Sequence, residues 1–288
     1  MKYISDFNIL LNEDYTESIS KNDFIKILND NCKNYSIKNT QLFRGVSDLS
    51  SKDNYYRFVD TSKVNRYEND NFISGGIQYS RILFDNILES WNKYPKRINS
   101  VITSTSINHA NMYSKKFLGL FGKNAFNVIP FDNTILGITS NNDFYYSFNK
   151  GFGVKNEGLY NLEFFCADLQ SILPKQTKNY KELLEILKTI TIDENYYNFK
   201  SKLKNNNYDK TFLKLLYNFI DIRDKNKNYT LIDYFNKILD PNYNEFFLLK
   251  YTKNINIKDS EESPGHGREV YFSGKCLFVN PDILYKII

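Results

Sequence analysis

The chain has 288 residues and a formal net charge of +5, with 38 Lys and Arg interspersed among 33 Asp and Glu. That length builds a sizeable core, in one large domain or two small ones. The scattered charge gives no nucleic-acid signature and leaves only a mild bias toward an anionic partner.

Three widely spaced cysteines, Cys32, Cys166 and Cys276, are too few and odd in number for a disulfide framework and fit a reducing compartment. Two histidines, His109 and His266, exclude a His-rich metal site. Acids stand in the first fifteen residues where a signal peptide is apolar, and no apolar run approaches about 20 residues. A soluble, cytoplasmic protein is therefore expected, with no membrane and no metal, and with an unconventional export route left open. Aromatic residues make up 16% and the mean hydropathy is −0.52. Abundant Asn, Lys, Ile, Tyr and Phe together suit an AT-rich coding sequence better than a functional cause.

In chain order, Ser20 with Asp23 forms a capping-box pattern before Phe24, Ile27 and Leu28, which predicts a helix to about Cys32. Gln41–Val46 predicts a strand carrying Arg44 near its end. Gly45 there either lets the backbone approach a ligand or marks a bulge. Asn54–Asp60 predicts an aromatic edge strand, followed by a polar loop over Thr61–Gly76. Ile77–Trp91 has helical spacing at Ile82, Leu83, Ile87 and Trp91 and stops before Pro95. Lys96 and Arg97 follow. They read as a solvated basic pair, although Arg97 stands close enough to the next strand to meet a phosphate.

The stretch Asn99–Tyr113 is the most pointed. Val101, Ile102 and Thr103 predict a buried strand that ends in Ser104, Thr105 and Ser106. Ser106 caps a helix bearing Ala110, Tyr113 and Phe117 on one face. Hydroxyls at a strand end beside a helix N-terminus can hold a polar ligand. Taken alone, a hydroxyl-rich strand and an ordinary cap describe the stretch more simply.

Ala125–Phe131 and Thr134–Thr139 predict two strands joined by Asp132 and Asn133, followed by an aromatic cluster at Asp143–Phe148 and a glycine-containing loop at Gly151–Gly158. From about Leu173 to Leu239 three helical stripes appear: Tyr180, Leu183, Leu184 and Leu187; Phe212, Leu215, Leu216 and Phe219; and Leu231, Tyr234, Phe235 and Ile238. Thr230 with Asp233 caps the last. Strand character returns at Phe246–Tyr251. A tight Gly/Pro loop at Lys258–Arg268 leads into Glu269–Val279, two strands hinged at Ser273–Gly274.

Three separated pieces then fall into one pattern: Arg44 on an early strand (LFRG), Ser104–Ser106 ending a middle strand, and Glu269 opening a late strand after the loop (GREVYF). This resembles the R-S-E class of ADP-ribosyltransferases, the cholera-toxin-like enzymes. The segments YPKRINSVITSTS and VIPFDNTILGITSNNDFYYSF resemble phage-borne members of it. The resemblance covers about residues 40–150 and 245–280. It implies an α+β fold with a split β-sheet core, an N-terminal helix and a helical insertion at about 173–240, in a single domain. It also implies NAD as substrate, with ADP-ribose passed to a macromolecular acceptor, a host protein such as RNA polymerase, and nicotinamide released. In a phage setting the protein acts in the host cytoplasm or travels in the virion.

By the same resemblance Glu269, Arg44 and Ser104 are the catalytic set. Arg44, Gly45, Ser104, Thr105 and Ser106 contact the dinucleotide. Glu269 would bond the ribose 2′-hydroxyl and stabilise an oxocarbenium-like ribose. Arg44 would grip the pyrophosphate through paired hydrogen bonds, and Ser104 would support the glutamate. Against this, Arg44 also reads as a surface cation and Glu269 as a charge on a rim. His109 is assigned no role, and His266 reads as an exposed loop histidine. Arginine-modifying members of the class carry Glu two residues before the catalytic one, and others carry Gln. Here that position is Gly267, with Glu261 and Glu262 as possible substitutes. Two alternatives stay open: an NAD glycohydrolase using water as acceptor, and an idle binding or virion-associated protein of the same fold.

Overall fold

The computed structural model describes residues 16–46, 55–63, 83–113, 125–148, 180–189, 217–218, 228–253, 256–257 and 267–287. Expectations for the Gly151–Gly158 loop, Phe117, the stripe of Phe212, Leu215, Leu216 and Phe219, Cys166, Glu261, Glu262 and His266 fall outside these residues.

The class is α+β, with an open sheet whose strand pairings are antiparallel. Chain contacts divide the molecule into two compact units. The first comprises Met1–Arg66, Tyr94–Asp143 and Phe247–Ile288; the second comprises Tyr67–Lys93 and Phe144–Phe246.

The first unit contains the sheet. Its strands are β1 (Thr16–Ser18), β2 (Phe43–Gly45), β3 (Tyr56–Asp60), β4 (Val101–Ser104), β5 (Ala125–Pro130), β6 (Ile135–Ile138), β7 (Phe247–Lys250), β8 (Glu269–Phe272) and β9 (Lys275–Val279). They lie in the order β1-β3-β9-β5-β2-β4-β8-β6-β7. Helix α1 (Lys21–Asn31) starts at the Ser20 cap, whose hydroxyl accepts the Asp23 N–H. Helix α2 (Ile107–Tyr113) follows β4 directly.

Alternation along the strands sorts the core into two layers, because successive side chains point to opposite faces. Ile129, Leu277 and Val279 pack under Phe24 of α1 and Leu284 of the short C-terminal helix Pro281–Leu284. Their neighbours Val128, Cys276 and Phe278 join a second cluster, which also takes Val101, Leu136, Ile138, Val270 and Phe272. Burial on both sides explains why β5, β8 and β9 read as largely apolar runs.

The sheet has a narrow seam. β2 is three residues long and pairs with β5 along its length, but meets β4 at one register position, Phe43 opposite Ser104. Had the ladder continued, Gly45 would face Ile102. Instead the Ile102 carbonyl accepts the Arg44 guanidinium at 2.6 Å.

One sequence expectation is corrected here. Asn54–Asp60 is not an edge strand: β3 lies between β1 and β9. The outer neighbour β1, Thr-Glu-Ser, has no apolar periodicity to announce it. The strands flanking Asp132–Asn133, like those flanking Ser273–Gly274, are consecutive in sequence but do not pair with each other. Each turn carries a residue at positive φ, Asn133 at 67° and Gly274 at 119°, and sends the chain to the other side of the seam.

The second unit is described by itself. Among its described residues are the helices α3 (Tyr180–Thr189) and α4 (Leu231–Ile238), α4 opened by the expected Thr230–Asp233 capping box. A continuous helix to Trp91 is not formed. Leu83–Ile87 makes one wide turn, Leu88 is extended, and Glu89–Trp91 makes a tight one. Aromatic packing competes with the helical period here: Phe84 and Trp91 join Phe144, Phe148 and Phe246, with centroids 4.7–5.8 Å apart. The Trp91 indole N–H donates to the Leu239 carbonyl at 2.8 Å.

Candidate active site

The groove is built at the seam, wholly within the first unit. Phe43, Arg44 and Gly45 of β2, Ile102, Thr103 and Ser104 of β4, Glu269 of β8, and His109, Ala110 and Asn142 line about 400 Å³ of open space.

Register pairs Ser104 with Glu269, and the groove at the seam brings Arg44 to the same lining. Ser104 is the direct partner of Phe43 on one side and of Glu269 on the other. Arg44 follows Phe43, so Arg44, Ser104 and Glu269 stand on three consecutive strands, β2, β4 and β8. All three are buried, Arg44 at 7% exposure and Glu269 at 4%. Neither the surface-cation reading of Arg44 nor the rim-charge reading of Glu269 holds. The alternation of β8 places Val270 and Phe272 in the core and leaves Glu269 and Tyr271 on the opposite face, across from Ser104 and Ile102.

The hydroxyls of Ser104, Thr105 and Ser106 divide their work. The Ser104 oxygen accepts the Ser106 N–H at 3.1 Å and lies 3.3 Å from His109 Nδ1. Thr105 joins the end of β4 to the residue before Glu269: its hydroxyl accepts the Arg268 N–H at 2.8 Å, while its own N–H donates to the Arg268 carbonyl at 3.0 Å. Ser106 caps α2 as expected, its carbonyl accepting the Ala110 N–H and its hydroxyl the His109 N–H. Ser104 and Gly45 therefore line the groove, whereas Thr105 and Ser106 lie beside it and shape the chain.

Gly267, in the position where the resembled enzymes carry Glu or Gln, has a φ of +63°. A Cβ there would stand 2.7 Å from both the Cβ and the backbone nitrogen of Ser106. Glycine is thus required by conformation and by contact.

The residue most misjudged from sequence is Arg97. The expected solvated pair is split: Lys96 is exposed, but Arg97 is buried, with its guanidinium donating to Glu269 Oε1 in an ion pair. The same guanidinium lies over the Tyr271 ring, 5.6 Å from its centroid. The ring in turn lies against Gly137, where a Cβ would come within 2.5 Å of Tyr271 Cζ. The main chain of Glu269 is fixed independently. The Thr139 hydroxyl lies 3.2 Å from the Glu269 N–H and 3.0 Å from its carbonyl, and the Thr139 N–H donates to that carbonyl. A glycine within a strand signals close approach of a neighbour, so Gly137 was a readable clue. The pairing of Arg97 with a residue 172 positions later was not.

Among the described residues no group of three or more His, Cys, Asp and Glu could hold a metal ion, and no helix is long and apolar enough to cross a membrane. No family model matches the sequence, and neither the curated proteins nor the solved structures contain a match to it.

Proposed function

We propose that the protein is an NAD-dependent mono-ADP-ribosyltransferase whose reaction takes place in the groove between β2 and β4. One observation carries this reading: Arg44, Ser104 and Glu269, far apart in sequence, line a single groove on three consecutive strands. The narrow seam between two sheet halves also suits the split-sheet core of that class.

The chemistry needs an anion near the ribose and a cation near the phosphates. As the bond between ribose C1′ and the nicotinamide nitrogen breaks, its electron pair neutralises the pyridinium ring and the ribose becomes oxocarbenium-like. Glu269 accepts the ribose 2′-hydroxyl and stabilises that charge inside a partly water-excluded site, where electrostatic effects are strong. Arg44 meets the pyrophosphate with its planar donors. Ser104 holds the turn from β4 into α2 in register with Glu269. The acceptor, a host protein on this reading, then attacks C1′ and gives up a proton.

Nicotinamide release and label transfer from NAD into host lysate, measured on wild type and Glu269→Ala, test the reading. Release and transfer by the wild type and their loss in the variant are expected. Equal activity in both defeats the role of Glu269. A second reading, hydrolysis of NAD by water, is favoured by Gly267, since no acceptor-orienting side chain fits at that position. Nicotinamide release without any labelled macromolecule selects hydrolysis, and no binding of NAD by calorimetry selects an idle protein of this fold.

A further inference from the structure

Burying an arginine is costly unless its charge is met, and Arg97 is met by Glu269, the one carboxylate among the described residues that line the groove. Two separate sets of contacts converge on Glu269. Thr139 fixes its backbone, and Arg97 fixes its side chain. Arg97 is itself held from below by Tyr271, which is seated on Gly137. Arg97 does not line the groove. The stack Gly137, Tyr271, Arg97, Glu269 thus runs from the sheet backbone to the edge of the groove and ends on a carboxylate oxygen.

We propose that Arg97 is a positioning residue for Glu269: acting on Oε1 from outside the groove, it fixes the carboxylate at the place where the ribose is engaged. The proposal rests on the ADP-ribosyltransferase reading and adds a residue to it. A carboxylate offers about four lone-pair directions, so the contact with Arg97 is compatible with accepting a ribose hydroxyl at the same time. The assignment differs from that of a phosphate-binding arginine. Arg97 acts through Glu269, not on the dinucleotide.

The test uses the full chain and two measurements, steady-state nicotinamide release and calorimetric NAD binding. Arg97→Met is expected to lower kcat by about 10- to 100-fold, the scale of a catalytic group displaced by about an ångström, with the NAD Kd within about twofold of wild type. Arg97→Lys, which keeps the charge without the planar fork, is expected to lose less. In a Glu269→Gln background, Arg97→Met is expected to cost nothing further, since the group it positions is already disabled. Should Arg97→Met not fold, Tyr271→Leu removes the platform while keeping both charges, and is expected to show the same fall in kcat at constant Kd.

An active wild type whose kcat is unchanged by Arg97→Met, or by Tyr271→Leu where that variant stands in, overturns this inference alone. So does a Kd raised about tenfold by Arg97→Met in both backgrounds, which makes Arg97 a direct ligand of the dinucleotide. A wild type that neither binds NAD nor releases nicotinamide overturns the enzymatic reading, and this inference with it.

Discussion

Replacing Gly267 by alanine tests the link between the loop and the groove with a single methyl group. Two costs add. Left-handed backbone is unfavourable for an L-residue by about 1–2 kcal/mol. The new Cβ also meets the Cβ and backbone nitrogen of Ser106 at 2.7 Å, and overpacking of this kind costs about 1–3 kcal/mol. Ser106 caps α2, and Arg268 is bonded to Thr105 in both directions, so neither side of the contact yields cheaply. A loss of about 2–5 kcal/mol is expected, read by urea unfolding followed by circular dichroism. At roughly 2–4 °C per kcal/mol, Tm falls by about 4 °C at the least. Gly267→Asn separates the two costs, because asparagine tolerates left-handed backbone but keeps the Cβ. It is expected to recover only part of the loss. Alanine within about 0.5 kcal/mol of wild type, the range of an ordinary surface change, would refute the crowding at Ser106. Full recovery by asparagine would show that the backbone alone matters.

The other predictions concern neighbouring parts of the first unit. Gly137→Ala drives a methyl group into the Tyr271 ring and is expected to cost about 1–3 kcal/mol in urea unfolding; Tyr271→Leu in the same chain should recover part of it. Thr139→Val removes the hydroxyl that serves the Glu269 main chain, for an expected loss of about 1–3 kcal/mol. Burial first, and Asp132 second, push the Cys32 thiol up to about 12, and burial pushes Cys276 well above its ordinary range. Neither should react with iodoacetamide at pH 8 in the native protein, and both should react in urea. The same shifts set an alkaline limit. The raised native values contribute stability in full below the unfolded thiol range of about 8.5, and that contribution is lost as pH rises from there toward 12. A denaturation midpoint that stays flat between pH 8 and 11 contradicts this.

Much of the fold was legible because it rests on local signals. The Ser20 and Thr230 caps, the helix spacing after each, and the β4-to-α2 transition all appear as read. What escaped depended on partners far along the chain. Nothing in Thr-Glu-Ser marks β1 as a strand, since its pairing is supplied by β3. Leu83–Trp91 has helical spacing but yields to an aromatic cluster assembled from three separate stretches. At the groove, Arg44, Ser104 and Glu269 were found through a sequence pattern, while their convergence depends on the register of β2, β4 and β8. Arg97 was misread because Glu269 and Tyr271, which it meets, lie on the distant strand β8. An Arg beside a Lys and a Pro looks solvated until a returning strand covers it.

The position of Glu269–Val279 has a consequence for biosynthesis. β8 is the middle strand between β4 and β6, and β9 is the middle strand between β3 and β5. Thr103 therefore waits 167 residues for the Val270 carbonyl that its hydroxyl bonds, and Thr61 waits 213 for Gly274. A ribosome delivers this one stretch after all the strands that flank it, so the emerging chain holds β3, β5, β4 and β6 as unjoined edges. Contacts so distant in sequence fold slowly, and exposed edges invite aggregation in the meantime. Both halves of the sheet close together, once a single eleven-residue keystone has cleared the exit tunnel.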